Sequence, residues 1–194
     1  MSAMGRRDLL KNALGMSAGL VGMSALSPLY ASDEMVVRGE DVADVPFTKV
    51  SDRCYYLLAQ DPEPTSEKQG FFSNPGFIVT SEGVVVIDTG GSVQIGEMIL
   101  RQIKKVTDKP VIKVINTHFH GDHWLGNHAF VEANPKVEIY SHQILIDQIK
   151  EGAGDFWIGF MQRNTANGIS GTVATAPTKV LKGGETMKVG DTTH

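Results

Sequence analysis

A chain of 194 residues that is 41% hydrophobic and 21% charged is long enough to bury a core and too ordinary in composition for a disordered or fibrous protein. The formal charge of −4, with no Lys/Arg run beyond the first dozen residues, provides no basic field for nucleic acid. Cys54 is the single cysteine, so no intrachain disulfide can form. It reads as a small buried hydrophobe in a strand, because SDRCYYLLA offers no base to activate a thiol.

The opening GRRDLLKN sets Arg6 and Arg7 ahead of Leu9 and Leu10, and Asn12 to Ser32 carry no charge. That is the layout of an export signal. The uncharged stretch is rich in Gly, Ala and Ser and only mildly apolar, which suits a twin-arginine signal better than a stable membrane span. Residues 1–31 are therefore expected to be a twin-arginine-type signal peptide, cut after Ala31, and residues 32–194 an acidic domain. The twin-arginine export machinery is the expected partner, and the periplasm or another exported location the expected destination.

In the domain, FTKV and CYYLLA flank the turn SDR as a hairpin, and DPEPTSEKQGFFSNPG follows as an irregular loop. FIVT and VVVID flank Ser81 to Gly83 as a second hairpin. Ile95, Met98, Ile99, Ile103 and Val106 then recur as one face of an amphipathic helix that Pro110 stops. VIKVIN reads as a buried strand and VEIY as another, with Ser141 as N-cap of the helical QILIDQIK. ANGISGTVATAPT reads as loop, and KVLKGGETMKVGD as a pair of short strands around Gly183 and Gly184. Strands with helices interposed, and no internal repeat, predict one layered α/β domain.

Four of the six histidines fall between His118 and His128, inside THFHGDHWLGNH. On an extended segment His118 and His120, two apart, project to the same side and can share one ion. Gly121 is expected to let the backbone turn through its freedom in φ, aiming Asp122 and His123 at a neighbouring point. Imidazoles and a carboxylate form a ligand set that zinc accepts, and an incomplete shell leaves room for water. Loops at the carboxyl ends of strands are where layered α/β folds bind ligands. His128 and His142 read instead as exposed or hydrogen-bonded histidines, and Trp124 and Trp157 as core or pocket-wall aromatics.

HFHGDH matches the H-x-H-x-D-H signature of the metallo-β-lactamase superfamily, and VVVIDTG resembles that family's preceding segment. The resemblance spans roughly Phe47 to Asp191 and implies an αβ/βα sandwich, of which this chain covers mainly the amino-terminal half. It implies His118 and His120 as ligands of a first metal and Asp122 and His123 as ligands of a second, with two Zn2+ per full-length chain and other divalent metals possible. Asp88, in IDTG, is implied to orient the ligand loop from behind. The implied chemistry is hydrolysis of a small-molecule ester, thioester or amide-like bond, with Asp122 ligating and orienting the water. Metal coordination lowers the pKa of water from about 15.7 toward about 7. Flavo-diiron relatives carry Glu where His120 stands, which turns the reading away from that redox branch.

The family completes its metal shells with a Gly-His turn, a bridging Asp and a final His, and the chain reaches His194 before any of them. A truncated hydrolase is thus the expectation. Two other classes stand beside it: a periplasmic metal-binding accessory protein of a quinoprotein or sulfur-oxidation system, and an inactive fragment.

Overall fold

The computed structural model describes residues 37–59 and 61–193. The export-signal reading of residues 1–31 and any ligand role of His194 lie outside the described residues. Among those described, seven strands form one sheet in the order β1-β2-β3-β4-β5-β6-β7. The first half is a meander: β1 (Thr48–Lys49), β2 (Cys54–Tyr56), β3 (Gly76–Val79) and β4 (Val84–Ile87) pair antiparallel in turn. From β4 the pairing changes to parallel, through β5 (Val111–Ile115), β6 (Glu138–His142) and β7 (Lys179–Leu181). Parallel neighbours need crossovers, and helices supply them.

Helix α1 (Val93–Val106) joins β4 to β5, and α2 (Asn127–Ala133) lies between β5 and β6. The α1 start is capped by the Ser92 hydroxyl, which accepts from the Ile95 amide at 3.2 Å. Its apolar stripe of Val93, Ile95, Met98, Ile99 and Ile103 is buried together with Phe77, Val84, Val86, Val114, Phe130 and Ile139. Cross-strand register explains the set, since Phe77, Val86, Val114 and Ile139 are successive partners and so point to the same face. Each such side chain taken fully out of water contributes roughly 1.5–3 kcal/mol before the entropy of ordering is charged against it. The opposite face presents Ile78, Lys113, Glu138 and Tyr140, all half-buried, with Lys113 ion-paired to Glu138.

Helix α3 (Gln143–Gln148) leaves β6, passes through a widened turn at Ile149–Ala153, where Gly152 takes φ 108°, and continues as α4 (Gly154–Asn164). A second apolar cluster gathers here: Trp124, Leu125, Leu145, Ile149, Met161 and Ile169. Among the described residues no helix is long and apolar enough to cross a membrane.

Local expectations needed correction in several places. Ser141 does not cap α3; it is buried and donates its hydroxyl to the Asn116 carbonyl at 2.9 Å, and the cap is the imidazole of His142, accepting from the Ile144 amide at 3.3 Å. The strands around Gly183 and Gly184 exist but do not pair with each other. Instead β7 adds to the main sheet beside β6, while β8 (Lys188–Val189) pairs with β9 (Thr192–Thr193). An available strand edge outcompetes a local hairpin when it offers a longer ladder. Cys54 lies in β2 as expected but is half-buried, on the sheet face that α1 does not cover. Helices α2 and α4 had no period to reveal them: α2 is only seven residues long, and GDFWIGFM is apolar nearly all round.

Candidate metal centre

Strands β4 and β5 run parallel, so their carboxyl ends open side by side, and the candidate residues lie there. Asp88, the first residue past β4, adopts φ 59°, a left-handed conformation that Asp tolerates better than most residues. This turns its carboxylate toward the segment leaving β5. Asp88 Oδ1 accepts from the Thr117 amide at 2.8 Å, and Oδ2 accepts from the Thr117 hydroxyl at 2.6 Å. The same Oδ2 faces His123 Nδ1 at 2.8 Å. A carboxylate at Nδ1 keeps the proton on that nitrogen and leaves Nε2 as the donor atom for a cation.

The ligand loop is braced from behind by buried amides. Asn116 and Asn127 exchange side-chain hydrogen bonds of 2.9 and 3.1 Å, and both are buried. The Asn116 amide also donates to the His123 carbonyl at 3.0 Å, and the Thr89 backbone N–H reaches that same oxygen at 3.0 Å. Ser73, from the loop before β3, donates its hydroxyl to the Asp122 carbonyl at 2.6 Å. The Trp124 indole donates to the Phe119 carbonyl at 3.0 Å. Trp124 is wholly buried in the core, whereas Trp157 is half-buried and walls the site.

Residues Gly121–His123 form a single tight helical turn. Gly121 does not use a left-handed φ, contrary to the expectation from its place between the ligands. Its hydrogen side chain is needed for space: a Cβ there would lie 2.8 Å from Trp157 Cβ and 2.9 Å from Trp157 Cγ. Helix α4 therefore packs directly on the loop.

The rings of His118 and His120 lie 4.3 Å apart edge to face, and those of His118 and His123 5.0 Å apart. Asp122 Oδ2 lies 3.3 Å from His123 Nε2. His128 and His142 are not part of this group. His128 Nε2 pairs with Glu132 at 3.3 Å on α2, and His142 caps α3.

The electrostatics suit a cation. Burial, reinforced by the neighbouring imidazoles, pushes the His118 pKa down, keeping its lone pair free. Burial also pushes the Asp122 carboxyl up, a penalty that a nearby positive charge offsets. At His123 burial pulls the pKa down, but the hydrogen bond and charge of Asp88, with Asp122 behind them, outweigh it and the net shift is upward. Among the described residues no three His, Cys, Asp or Glu side chains converge closely enough to hold an ion as they stand, so capture requires the rings to turn. In donor type and charge the set fits zinc.

The fold is a layered α/β domain with imidazoles and a carboxylate gathered at the carboxyl ends of parallel strands. The chain belongs to the metallo-beta-lactamase superfamily, a family mostly of hydrolases, whose model matches residues 69–193. Over 76 residues, 37% of this chain and 14% of the relative, it is 37% identical to the linear primary-alkylsulfatase of Pseudomonas sp. (strain ATCC 19151). Among solved structures it is similar to a metallo-beta-lactamase from Pontibacter korlensis, at 22% identity and TM-score 0.53, covering 76% of this chain and 57% of that one. It is also similar to native FEZ-1 metallo-beta-lactamase from Legionella gormanii, at 22% identity and TM-score 0.55, covering 79% and 53% of the two chains. These likenesses establish the fold. The chain thus spans little more than half the length of those structures.

Asn116, Asn127 and Ser73 escaped the sequence reading, which also left open whether Trp124 or Trp157 walls the pocket. Asn116 and Thr117 at least flank the motif, whereas nothing in the sequence marks Ser73 as a partner of a residue 49 positions away.

Proposed function

We propose that this chain is the metal-binding part of an exported, metal-dependent hydrolase, with His118 and His120 serving one zinc ion and Asp122 and His123 a second. The observation that carries the reading is the ligand loop itself: the His118 ring lies 4.3 Å from that of His120 and 5.0 Å from that of His123, the buried Asp122 carboxylate lies 3.3 Å from His123 Nε2, and Asp88 holds the far nitrogen of His123 at 2.8 Å. Zinc bound there supplies a water acidic enough to ionise near neutral pH. Asp122, fixed through its own carbonyl by Ser73, would help hold that ion and orient its water toward the bond to be cleaved. Asp88 keeps the His123 tautomer, and the Asn116–Asn127 pair keeps the loop from moving away when charge changes at its tip.

The bond cleaved belongs to the ester, thioester or amide-like class, and the alkylsulfatase relative adds sulfate esters to it. Export through the twin-arginine route to the periplasm completes the proposal, supported by Arg6 and Arg7 ahead of an uncharged, small-residue stretch.

The test is a metal analysis of the zinc-incubated chain together with a screen against β-lactam, thioester, carboxylate ester and alkyl sulfate substrates. Bound zinc with turnover supports the reading; bound zinc with no hydrolysis of any class replaces it by a metal-binding accessory role. Asp122→Ala is expected to cut kcat by roughly 100-fold or more while KM changes little. An unchanged kcat removes Asp122 from the mechanism.

A further inference from the structure

Aromatic side chains continue outward from the candidate ligands in an unbroken series. Phe119, between His118 and His120 in sequence, sets its ring 4.6 Å from the first, tilted, and 4.3 Å from the second, edge to face. On the other side the Trp157 ring lies 5.0 Å from His120, and Phe156 lies 5.3 Å beyond Trp157. Phe119 is 47% exposed and Phe156 60% exposed, although both are large apolar groups. They line a shallow, open depression together with Gln148, Glu151, Ala153 and Trp157. Contiguous exposed aromatics of this kind mark a place where something apolar binds. Scattered surface hydrophobes would need no such account.

The position of the depression identifies the occupant. Its inner wall, Trp157, packs on Gly121 and against the His120 ring, so whatever fills it lies within one side chain of the candidate ligands. Among the described residues Glu151 is the one charged group that lines it, which disfavours an anionic tail. The walls stand on opposite supports: Phe119 is tied through its carbonyl to the buried Trp124, and Trp157 and Phe156 ride on α4. The aromatic walls are therefore carried by two different elements, the ligand loop and α4.

We propose that Phe119, Phe156 and Trp157 form a specificity subsite for an uncharged alkyl or aryl group of the substrate, lodged next to the bond that is cleaved. This rests on the hydrolase reading above. The subsite selects substrates with a hydrophobic chain of several carbons over short or charged analogues, by the free energy of taking that chain out of water.

The experiment uses the zinc-loaded chain and has two independent readouts. The first is kcat/KM along a series of p-nitrophenyl esters with acyl chains from two to ten carbons. The expected result is a rise of about three- to fourfold per added methylene over the first several carbons, the value of one buried CH2. Phe156→Ala should flatten that slope, and Phe156→Leu, which keeps an apolar side chain, should restore most of it. The second readout needs no turnover: of the two tryptophans only Trp157 is accessible, so 8-bromo-1-octanol should quench it saturably, with weaker affinity in Phe156→Ala than in Phe156→Leu. Hydrolysis with no dependence on chain length, together with unsaturable quenching, overturns the subsite and leaves the hydrolase standing. Saturable quenching with no hydrolysis of any ester overturns the hydrolase reading instead and leaves the depression as an apolar-ligand site. A change of oligomeric state in Phe156→Ala with an unaltered slope overturns the subsite in favour of a protein contact.

Discussion

The ligand loop at 116–123 and the terminal hairpin β8–β9 are both short segments held to the main sheet through side chains, but they are held by different physics. Behind the loop, Asp88, Asn116 and Asn127 are 5%, 3% and 0% exposed. The hairpin hangs from Arg53 and Asp191, which pair at 2.6 Å with side chains 46% and 44% exposed, and from Ser81, whose amide donates to Asp191 at 2.9 Å. Hydrogen bonds of similar length differ in worth because a buried partner left alone cannot turn to water, while an exposed one can. Placement of the site is thus strongly determined and placement of the hairpin weakly so.

Substituting Asp88 should widen this contrast most. Asp88→Ala leaves the His123 Nδ1 proton and the Thr117 amide without an acceptor, and puts alanine at φ 59°. Unfolding in urea should show a loss of about 3 kcal/mol, and zinc titration a roughly 10- to 100-fold weaker affinity. Asp88→Asn, which tolerates the same backbone, should recover stability ahead of affinity. An affinity unchanged in both variants would detach Asp88 from the site.

Asn127 makes no contact with the ligand side chains yet should cost nearly as much in stability. Asn127→Leu strips Asn116 of its amide partner and the Thr175 carbonyl of a donor, so a loss of about 2–3 kcal/mol is expected in urea unfolding. Gly121→Ala forces Trp157 away from the loop, at about 1–3 kcal/mol and with a changed Trp emission spectrum, since Trp124 stays buried. An unshifted spectrum would mean that α4 does not press on the loop.

The smallest effect belongs to the hairpin. Arg53 and the Ser81 amide hold the Asp191 carboxyl well below the usual carboxylate range. A depressed folded-state pKa contributes stability that is complete above the unfolded value of about 3.9 and disappears as the pH falls further. Hydrogen-exchange protection factors in residues 188–193, corrected for the intrinsic pH dependence of exchange, should therefore be constant from neutral pH down to the carboxylate range and fall only below it. Arg53→Ala should shrink the size of that fall, since the Asp191 carboxyl then titrates nearer its unfolded value, without altering the protection of the Asn116 region.

The comparison also separates what was legible in the residues from what was not. VVVID, VIKVIN and the i, i+3, i+4 run from Ile95 mark their own elements, because period and β-branching act within a few residues. The candidate loop was legible for the same local reason: His118, His120, Asp122 and His123 fall within six residues, and the structure brings His118 near both His120 and His123. Contacts between distant segments were not legible. The pairing of β7 with β6 depended on an open strand edge, and the capping role of His142 depended on Ser141 being drawn toward Asn116.

The sequence alone determined the layered α/β class and marked the central strands and the candidate donor set, since each follows from residue type and short-range spacing. Only the tertiary structure decided why Gly121 must be glycine, which tryptophan faces the site, and that Ser73, Asn116 and Asn127 brace the loop. Those facts depend on which surfaces meet across 5 to 49 residues of chain, and burial, rather than spacing, sets the strength of what forms there.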